Sequence, residues 1–445
     1  MAAAPNRRAP GLLLAWLVLD ASMGVYLGLN GPSTISRILL AAGIAFLLFV
    51  LFRRPATNVR PLTAPMLELG IGLLLALELV ARIAVPFRPE APAPTIPIPA
   101  LAIGALVALG GWLVTRRSGA AWVGAAGLVL VVVAALAARF AIVAWDVEPG
   151  FDVHLIQDAG GRAILAGSNP YLADTAYHSG YPYWPLSAVL AAGGLLFGDA
   201  RWGLLVADAV TVMAFVVTAR NVGMPGRLGA LAAALLLWNS SGFYLTWQSL
   251  PEPAVIALAA TGIALLTGPR ARGLLAGVAL GLAIGVKQLG LGMLPFLPLS
   301  RDRGRWTAFA VASAVSGAIL LAFLSWSPDA FLRGTISSHL VEPARDYAVN
   351  LLDPLPGIIP RLNVPFVVTA FLALGVGLAV RLRWPDSIDG WLAATAALFT
   401  IAFAFIGISF VNYYQIPLAL LLLLVLIPDG WTADDRFESR APRAA

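Results

Sequence analysis

Long apolar runs follow one another along almost the whole chain, and the polar and charged residues are confined to the shorter segments between them. An apolar run of about 20 residues crosses the hydrocarbon core of a membrane as an α-helix, because only a helix satisfies its own backbone hydrogen bonds there. The pattern therefore predicts an all-α fold, a polytopic transmembrane helical bundle with roughly 13–14 membrane passes.

Two apolar segments depart from the simple crossing pattern. Segment 184–197 is short, and the alternation of loops requires that it does not cross, so we predict a helix that lies in the membrane interface. Segment 273–299 is too long for one pass and has basic residues at both ends, so we interpret it as two half-spans that meet near Lys287. Such half-spans are tolerated where protein lines a cavity.

The composition fits a membrane protein and excludes several other classes. Of 445 residues, 60% are hydrophobic and 12% are charged, about half of the charged fraction of ~25% that is usual in soluble domains. The net charge is +6, but most arginines lie in short loops, where they determine topology, so we expect no nucleic-acid partner. Because the chain has no cysteine, disulfides and thiolate metal sites are excluded.

Arginines recur on one side of the predicted membrane, beginning with Arg7 and Arg8 and ending with Arg381 and Arg383. The positive-inside rule makes that side cytoplasmic. We therefore expect a multi-pass protein of the plasma (cytoplasmic) membrane with both termini in the cytoplasm. The sequence divides into N-terminal accessory transmembrane spans (1–118), a second membrane module (119–428) and a polar cytoplasmic tail (429–445).

Polar side chains gather in the loops on the opposite, outer side. The long loop between residues 145 and 200 is predicted to hold juxtamembrane helices, the first an amphipathic helix over 151–166 that ends at Gly167. The polar residues of these outer segments include Asp152, His154, Tyr181, Glu252, His339, Arg345 and Tyr414. Because they share one side of the membrane, we predict a site on the outer face.

Several of these residues have a structural as well as a functional interpretation. Lys287, the only lysine, lies among apolar residues, and such a charge marks a site or pairs with a carboxylate such as Glu252. Asp152 is either a catalytic carboxylate or the N-cap of the following helix. The alternatives for His154, Arg345 and Tyr414 are stacking in the interface, a solvated charge cluster and a headgroup anchor.

Short motifs around these residues resemble the GT-C glycosyltransferases, above all family 87, which includes polyprenol-phosphate-mannose-dependent mannosyltransferases. Segments 151–154, 167–171 and 181–186 resemble that family's first outer loop, and the run from Gly277 to Lys287 is similar to its Gly-rich segment ending in a lysine. The resemblance covers roughly residues 120–427. This chain departs from the family in having four or five spans before the aspartate loop, where one is usual, and in a displaced second proline of the Tyr-Pro-Pro pattern.

The resemblance implies a GT-C-like module that transfers a sugar, guessed to be mannose, with inversion. The donor would be a polyprenyl-phosphate carrier and the acceptor a lipid or glycan on the outer face, among membrane lipids. Asp152 would be the general base. The residues expected to bind substrate are His154, Tyr181, Glu252, Lys287, Gln288, His339, Arg345 and Tyr414. No cofactor or metal is required by the resemblance, and an Asp-coordinated divalent ion stays open.

The main alternative is a multi-pass lipid or solute transporter or flippase of the cell envelope. A transporter would also be a helical bundle with a buried charge and broken helices. However, the sequence has no internal repeat, and its polar residues concentrate at one face instead of the midplane. A non-enzymatic scaffold for envelope assembly would leave the long outer loop and Lys287 unexplained.

Overall fold

The computed structural model describes residues 7–29, 31, 33–53, 62–84, 97–115, 121–175, 180–268, 272–302, 304–337, 348–352, 364–406, 409–429 and 431. Regular secondary structure within these residues is helical. The helices before residue 150 are α1 (Ala9–Gly28), α2 (Thr34–Phe52), α3 (Ala64–Ala84), α4 (Ile98–Thr115) and α5 (Ala121–Ala144).

The remaining described helices include short elements as well as long ones. They are α6 (Val153–Leu165), α7 (Pro185–Leu195), α8 (Trp202–Asn221), α9 (Gly226–Trp238), α10 (Ser240–Trp247), α11 (Glu252–Leu266), α12 (Gly273–Val286), α13 (Arg305–Trp326), α14 (Pro328–Leu332), α15 (Phe366–Arg381), α16 (Ile388–Phe405) and α17 (Gln415–Leu426). Short 3₁₀ segments connect some of them, notably Gln288–Met293 after α12 and Val411–Tyr414 before α17.

The lengths and compositions of these helices confirm the predicted all-α polytopic bundle. Eight described helices are long and apolar enough to cross a membrane, namely α1 to α5, α8, α13 and α16. Helices α9 and α10 add a ninth span if the two are counted together as one, bent by 64° at their junction. The predicted total of roughly 13–14 passes also counts shorter apolar helices such as α11, α12, α15 and α17.

The long loop contains the two predicted helices. Helix α6 ends where Gly167 adopts a φ of +68°, a left-handed conformation that favours glycine and commonly terminates a helix. Helix α7 begins with Pro185, whose missing N–H is tolerated in a first turn. The two helices pack closely, because a Cβ on Gly161 would lie only 2.9 Å from the backbone nitrogen of Ala192.

The break predicted near Lys287 is present. Helix α12 ends at Val286, and Lys287 has an extended backbone with φ −153° and ψ 143°. The chain then continues as the 3₁₀ segment Gln288–Met293. The break places Lys287 directly after the end of a helix instead of in the middle of one.

Polar contacts connect the N-terminal helices with the rest of the bundle, as polar residues within apolar helices generally do. Arg227 of α9 pairs with Glu68 of α3 at 2.6 Å between Nε and Oε1, and this carboxylate is buried. Asp20 of α1 is also buried, with its carboxyl in reach of the side chains of Glu78 and Asn239. Helices α1 and α3 are therefore joined to the later helices by polar as well as apolar contacts.

Segments from distant parts of the sequence meet at one end of the bundle. The Arg8 guanidinium carbon lies 3.6 Å from the centre of the Trp384 ring, and an Arg8 nitrogen lies 4.0 Å from a carboxylate oxygen of Asp429. The Trp384 indole donates to the backbone carbonyl of Leu51 at 2.9 Å. Segments assigned to the cytoplasmic side by their arginines thus share one end of the structure.

Candidate active site

A cavity of about 620 Å³ lies where α6 begins, α12 breaks and the 3₁₀ segment Val411–Tyr414 precedes α17. Its polar lining residues are Asp152, Tyr183, Lys287, Gln288, Thr335, Asn412 and Tyr413. The opposite part is apolar and lies between α15, α16 and the 3₁₀ segment Gln288–Met293. The cavity therefore joins a small cluster of polar groups to an apolar groove.

The groove has a simple origin in sequence. Helix α15 contributes Ala370, Ala373 and Leu374, and α16 contributes Phe399 and Ala402. Side chains three or four positions apart lie on the same face of a helix. The alanines occupy little volume at this surface, while leucine and phenylalanine make its walls apolar.

Lys287 is held at the polar end by a buried carboxylate. Its ammonium nitrogen lies 2.5 Å from Oε1 of Glu252, the first residue of α11. The Asn412 side-chain nitrogen donates to the same oxygen at 2.5 Å. Both Glu252 and Lys287 are buried, and a buried charge is tolerated only when it is paired and hydrogen-bonded. The pairing therefore keeps a cation at the cavity wall.

Two tyrosine rings flank that cation. The Lys287 nitrogen lies 4.6 Å from the ring centre of Tyr413 and 5.3 Å from that of Tyr183. Attraction between an ammonium and the face of an aromatic ring operates within about 6 Å. The rings therefore add to the stabilisation of the charged lysine and fix its place beside the cavity.

Asp152 reaches the cavity on a segment anchored to α10. The backbone N–H of Phe151 donates to Oε1 of Gln248 at 2.9 Å, and the Trp247 indole donates to the carbonyl of Glu148 at 2.7 Å. Asp152 occupies the N-cap position of α6, but its side chain makes no capping hydrogen bond. Helix capping consequently does not account for this carboxylate.

A comparison with known families agrees with this geometry. The model of glycosyltransferase family 87 matches residues 178–407, just over half of the chain. The chain belongs to glycosyltransferase family 87. The protein is therefore a glycosyltransferase, which takes a sugar from a donor to an acceptor. No curated protein matches the chain.

The matched range contains only part of the cavity wall of the glycosyltransferase. It includes Tyr183, Glu252, Lys287 and Gln288 but begins after Asp152. The family assignment thus establishes the reaction class, and the roles of individual residues rest on their contacts.

The structure brings some of the predicted substrate-binding residues to the cavity. Lys287 and Gln288 line it, and Glu252 lies behind Lys287. Gln288 also donates from its amide nitrogen to the carbonyl of Pro182 at 3.0 Å. This bond fixes the break in α12 against the Tyr-Pro-Tyr segment of the long loop.

Three other predicted residues are placed elsewhere. The Tyr181 hydroxyl donates to Oε1 of Gln157 at 2.8 Å, and the Tyr414 hydroxyl donates to the carbonyl of Val349 at 3.0 Å. Both rings are buried. Neither they nor His154 are among the described residues that line the cavity. Each of the two instead stands close in sequence to a tyrosine that lines the cavity, Tyr181 to Tyr183 and Tyr414 to Tyr413.

His154 is half-buried in the first turn of α6, on the side of Arg201. Burial and the neighbouring Arg201 guanidinium lower the pKa of His154 below its usual value, against the opposing effect of Asp199. Burial and the neighbouring cation thus favour the neutral imidazole. The predicted His339 and Arg345 lie outside the residues that the structure describes.

Arg201 ties the two ends of the long loop together. Its fully buried guanidinium donates to the carbonyl of Val147 at 2.7 Å and contacts the carboxylates of Asp199 and Asp146 at 2.5 and 3.1 Å. Burial tends to raise the pKa of Asp199, but the hydrogen bonds from Arg201 hold it below its usual value. The loop that carries Asp152 therefore has a fixed base.

The predicted site did not include Tyr183, Asn412 and Tyr413, which line the cavity. Tyr183 stands within the motif that carries the resemblance, and Asn412-Tyr413 interrupts two apolar runs, so both had a signal. Among the residues described, no group of three or more His, Cys, Asp or Glu side chains could hold a metal ion. Independence from metal remains a prediction.

Proposed function

We propose that this glycosyltransferase moves a sugar from a polyprenyl-phosphate carrier to a hydroxyl of a lipid or glycan acceptor, with inversion at the anomeric carbon. One observation carries the proposal: Asp152 and Lys287 line the same cavity, which continues into an apolar groove between α15 and α16. A carboxylate, a cation and an apolar channel are the three features that such a donor and such a reaction need.

Lys287 is the proposed ligand of the donor phosphate. An ammonium has three N–H donors, and Glu252 takes one of them. The others can meet phosphate oxygens, whose negative charge increases as the bond to the sugar breaks. A fixed cation in a site of low polarity stabilises that charge far better than water does.

Asp152 is the proposed general base. It would accept the proton of the acceptor hydroxyl while the hydroxyl oxygen forms a bond to the anomeric carbon. The bond from that carbon to the carrier's phosphate oxygen breaks, and the polyprenyl phosphate leaves. Attack from the face opposite the leaving phosphate inverts the configuration. Asp152 lies at the start of α6 and Lys287 follows the end of α12. The proposed base and the proposed phosphate ligand therefore stand on different elements of the cavity wall.

The apolar groove is the proposed place of the first isoprene units of the carrier. Lipid carriers are long and apolar, and burying each CH₂ group contributes about 0.8 kcal/mol. The groove walls are formed by leucine, phenylalanine and alanine side chains of α15 and α16. A water-soluble nucleotide sugar would gain little from such a surface.

The site is proposed to face the outside of the plasma membrane. Helix α16 begins near the end where Arg8 and Asp429 meet, and it has 18 residues, a length of about 27 Å. Residues at its far end, Phe403 and the following Ile406, line the cavity. Most of the length of α16 thus lies between the arginine-rich end and the polar end of the cavity, where Asn412 and Tyr413 follow the helix. Together with the positive-inside rule, this separation supports cytoplasmic termini.

A transfer assay tests the proposal. The purified protein in lipid nanodiscs would receive a membrane lipid extract and mannose, glucose, galactose or arabinose, linked either to polyprenyl phosphate or to a nucleotide, and mass spectrometry would follow the sugar. Appearance of sugar on an acceptor with release of polyprenyl phosphate is expected. Transfer only from nucleotide sugars would overturn the donor assignment, and carrier flipping without transfer would favour the transporter.

Filling the groove should discriminate against long carriers. Ala402 of α16 lines the groove and is half-buried. We expect Ala402→Phe to raise KM for a long-chain carrier about tenfold, because overpacking costs roughly 1–3 kcal/mol. A donor with a single isoprene unit should be affected less. Leu372→Phe, on the exposed side of α15, is the matched control. Equal effects on long and short donors would contradict the proposed path of the chain.

A further inference from the structure

The two ends of helix α10 contact two different segments that carry cavity-lining residues. Its last residue, Trp247, and the following Gln248 hold the segment that precedes Asp152. At its start, Asn239 forms two reciprocal side-chain hydrogen bonds with Gln415, the first residue of α17. Asn239 Nδ2 donates to Gln415 Oε1 at 3.0 Å, and Gln415 Nε2 donates to Asn239 Oδ1 at 2.6 Å. We call Asn239 and Gln415 the amide pair.

The amide pair lies next to the group that holds Lys287. Gln415 directly follows the 3₁₀ segment Val411–Tyr414, which carries Asn412. Asn412 donates to the oxygen of Glu252 that also accepts from Lys287. Displacement of this 3₁₀ segment would therefore alter the surroundings of the lysine without any change in the lysine itself.

Groups from the N-terminal helices surround the same junction. Arg82 of α3 donates to the hydroxyl of Ser240 at 2.6 Å. The Asp20 carboxyl of α1 lies within hydrogen-bond reach of Asn239. Helix α1 packs against both α10 and α17. The helices that precede the long loop therefore contact the bend between α9 and α10 through polar as well as apolar groups.

Burial makes these polar contacts specific. Asn239, Gln415 and Asp20 are 0%, 1% and 2% exposed. A buried amide without partners costs free energy, so the arrangement that satisfies both amides is favoured over shifted ones. Reciprocal bonds between two amides also restrict rotation, since both must keep their orientation.

We infer that the N-terminal helices are a positioning module for the site. Asp20 and Arg82 hold the start of α10, and the amide pair transmits that position to the segment carrying Asn412 and hence to Lys287. Asn239, Gln415 and Arg82 are positioning residues, since none of them lines the cavity among the residues described. The consequence for catalysis rests on the proposed function, whereas the consequence for the Val411–Tyr414 segment does not.

Hydrogen exchange measured by mass spectrometry on the full-length protein in nanodiscs tests this inference. Gln415→Met removes the amide pair with little change in volume. Asn239→Ser also removes it and keeps a side-chain acceptor for the N–H of Gly242, which caps α10. In both variants we expect the amides of residues 409–415 to exchange about tenfold faster, since one net hydrogen bond is worth about that factor. Exchange within α16 should stay unchanged.

Arg82→Met tests the part played by the N-terminal helices. It should accelerate exchange in residues 409–415 in the same direction, by a smaller factor. Asn221→Ser is the matched control, because it removes another interhelical amide bond, to the carbonyl of Ala264 at 2.8 Å, far from this junction in the fold. Acceleration in the amide-pair variants without any in Arg82→Met would overturn the role of the N-terminal helices.

Kinetics separate positioning from a merely structural role. With the donor established in the transfer assay, Gln415→Met should lower kcat about tenfold or more with a smaller change in donor KM, because small misplacements reduce catalysis strongly. A merely structural pair would lower the melting temperature and accelerate exchange throughout the bundle, with kcat per folded molecule retained, and that result would overturn the inference. If the wild type transferred no sugar, the proposed function would fail, while exchange in residues 409–415 would still decide on positioning.

Discussion

Asp152→Asn is expected to abolish most turnover while the donor remains bound. The amide has the size of the carboxylate but cannot accept the proton of the acceptor hydroxyl. General-base catalysis contributes about 10²- to 10⁴-fold to a rate, so kcat should fall by about that factor. Affinity for polyprenyl phosphate should stay near that of the wild type, since the contacts of Lys287 are unchanged. Both quantities are measurable in nanodiscs, by mass spectrometry of the product and by tryptophan fluorescence.

Asp158→Asn is the matched control for this change. Asp158 lies on the same helix but is paired with Arg162 at 2.6 Å and does not line the described cavity. Its exposed ion pair contributes little to stability, so that variant should turn over like the wild type. Normal turnover of Asp152→Asn would exclude the general-base role. A loss shared equally by both variants would point to damage in α6 instead of lost chemistry.

Much of the fold follows from sequence because membranes limit the choices. Apolar runs predict helices wherever backbone groups have no water to bind, and the bundle confirms this. Gly167 gave a local signal for the end of α6, since its positive φ suits glycine. The break at Lys287 followed from an apolar segment with basic residues on both sides. The 64° bend between α9 and α10 was not predicted, although Asn239 gives a local signal there, since its side chain caps α10 by accepting from the N–H of Gly242.

The site was predictable only as far as its residues lie in local motifs. Asp152 could be selected because it lies in the 151–154 motif that resembles the family's outer loop, and Lys287 because it is the only lysine and lies among apolar residues. The choice of Tyr183 over Tyr181 could not be made, since the turn of the Tyr-Pro-Tyr segment decides which ring meets the cavity. Asn412 was not selected because its partner Glu252 lies 160 positions away in sequence. Contacts between such distant residues exist only after the helices have packed.

Lys287→Met is expected to weaken binding of the carrier phosphate about ten- to hundredfold. A hydrogen bond to a charged group is worth about 1.5–3 kcal/mol, and about 1.4 kcal/mol changes affinity tenfold. The variant should also be less stable, because Glu252 would keep a buried negative charge with Asn412 as its only described donor. Breaking a buried pair in this way costs about 3–5 kcal/mol. Binding titrations and thermal unfolding in nanodiscs measure the two effects.

The double variant Lys287→Met/Glu252→Gln separates these two effects. It removes both charges, and the glutamine carbonyl can still accept from Asn412, so most of the lost stability should return. If Lys287 serves only as the structural partner of Glu252, affinity for polyprenyl phosphate and transfer should return with it. If Lys287 binds the phosphate, affinity should remain as low as in the single variant, because neither methionine nor glutamine supplies a cation. Recovered stability with persistent loss of phosphate binding therefore assigns the lysine to the donor, and recovery of both assigns it to the fold.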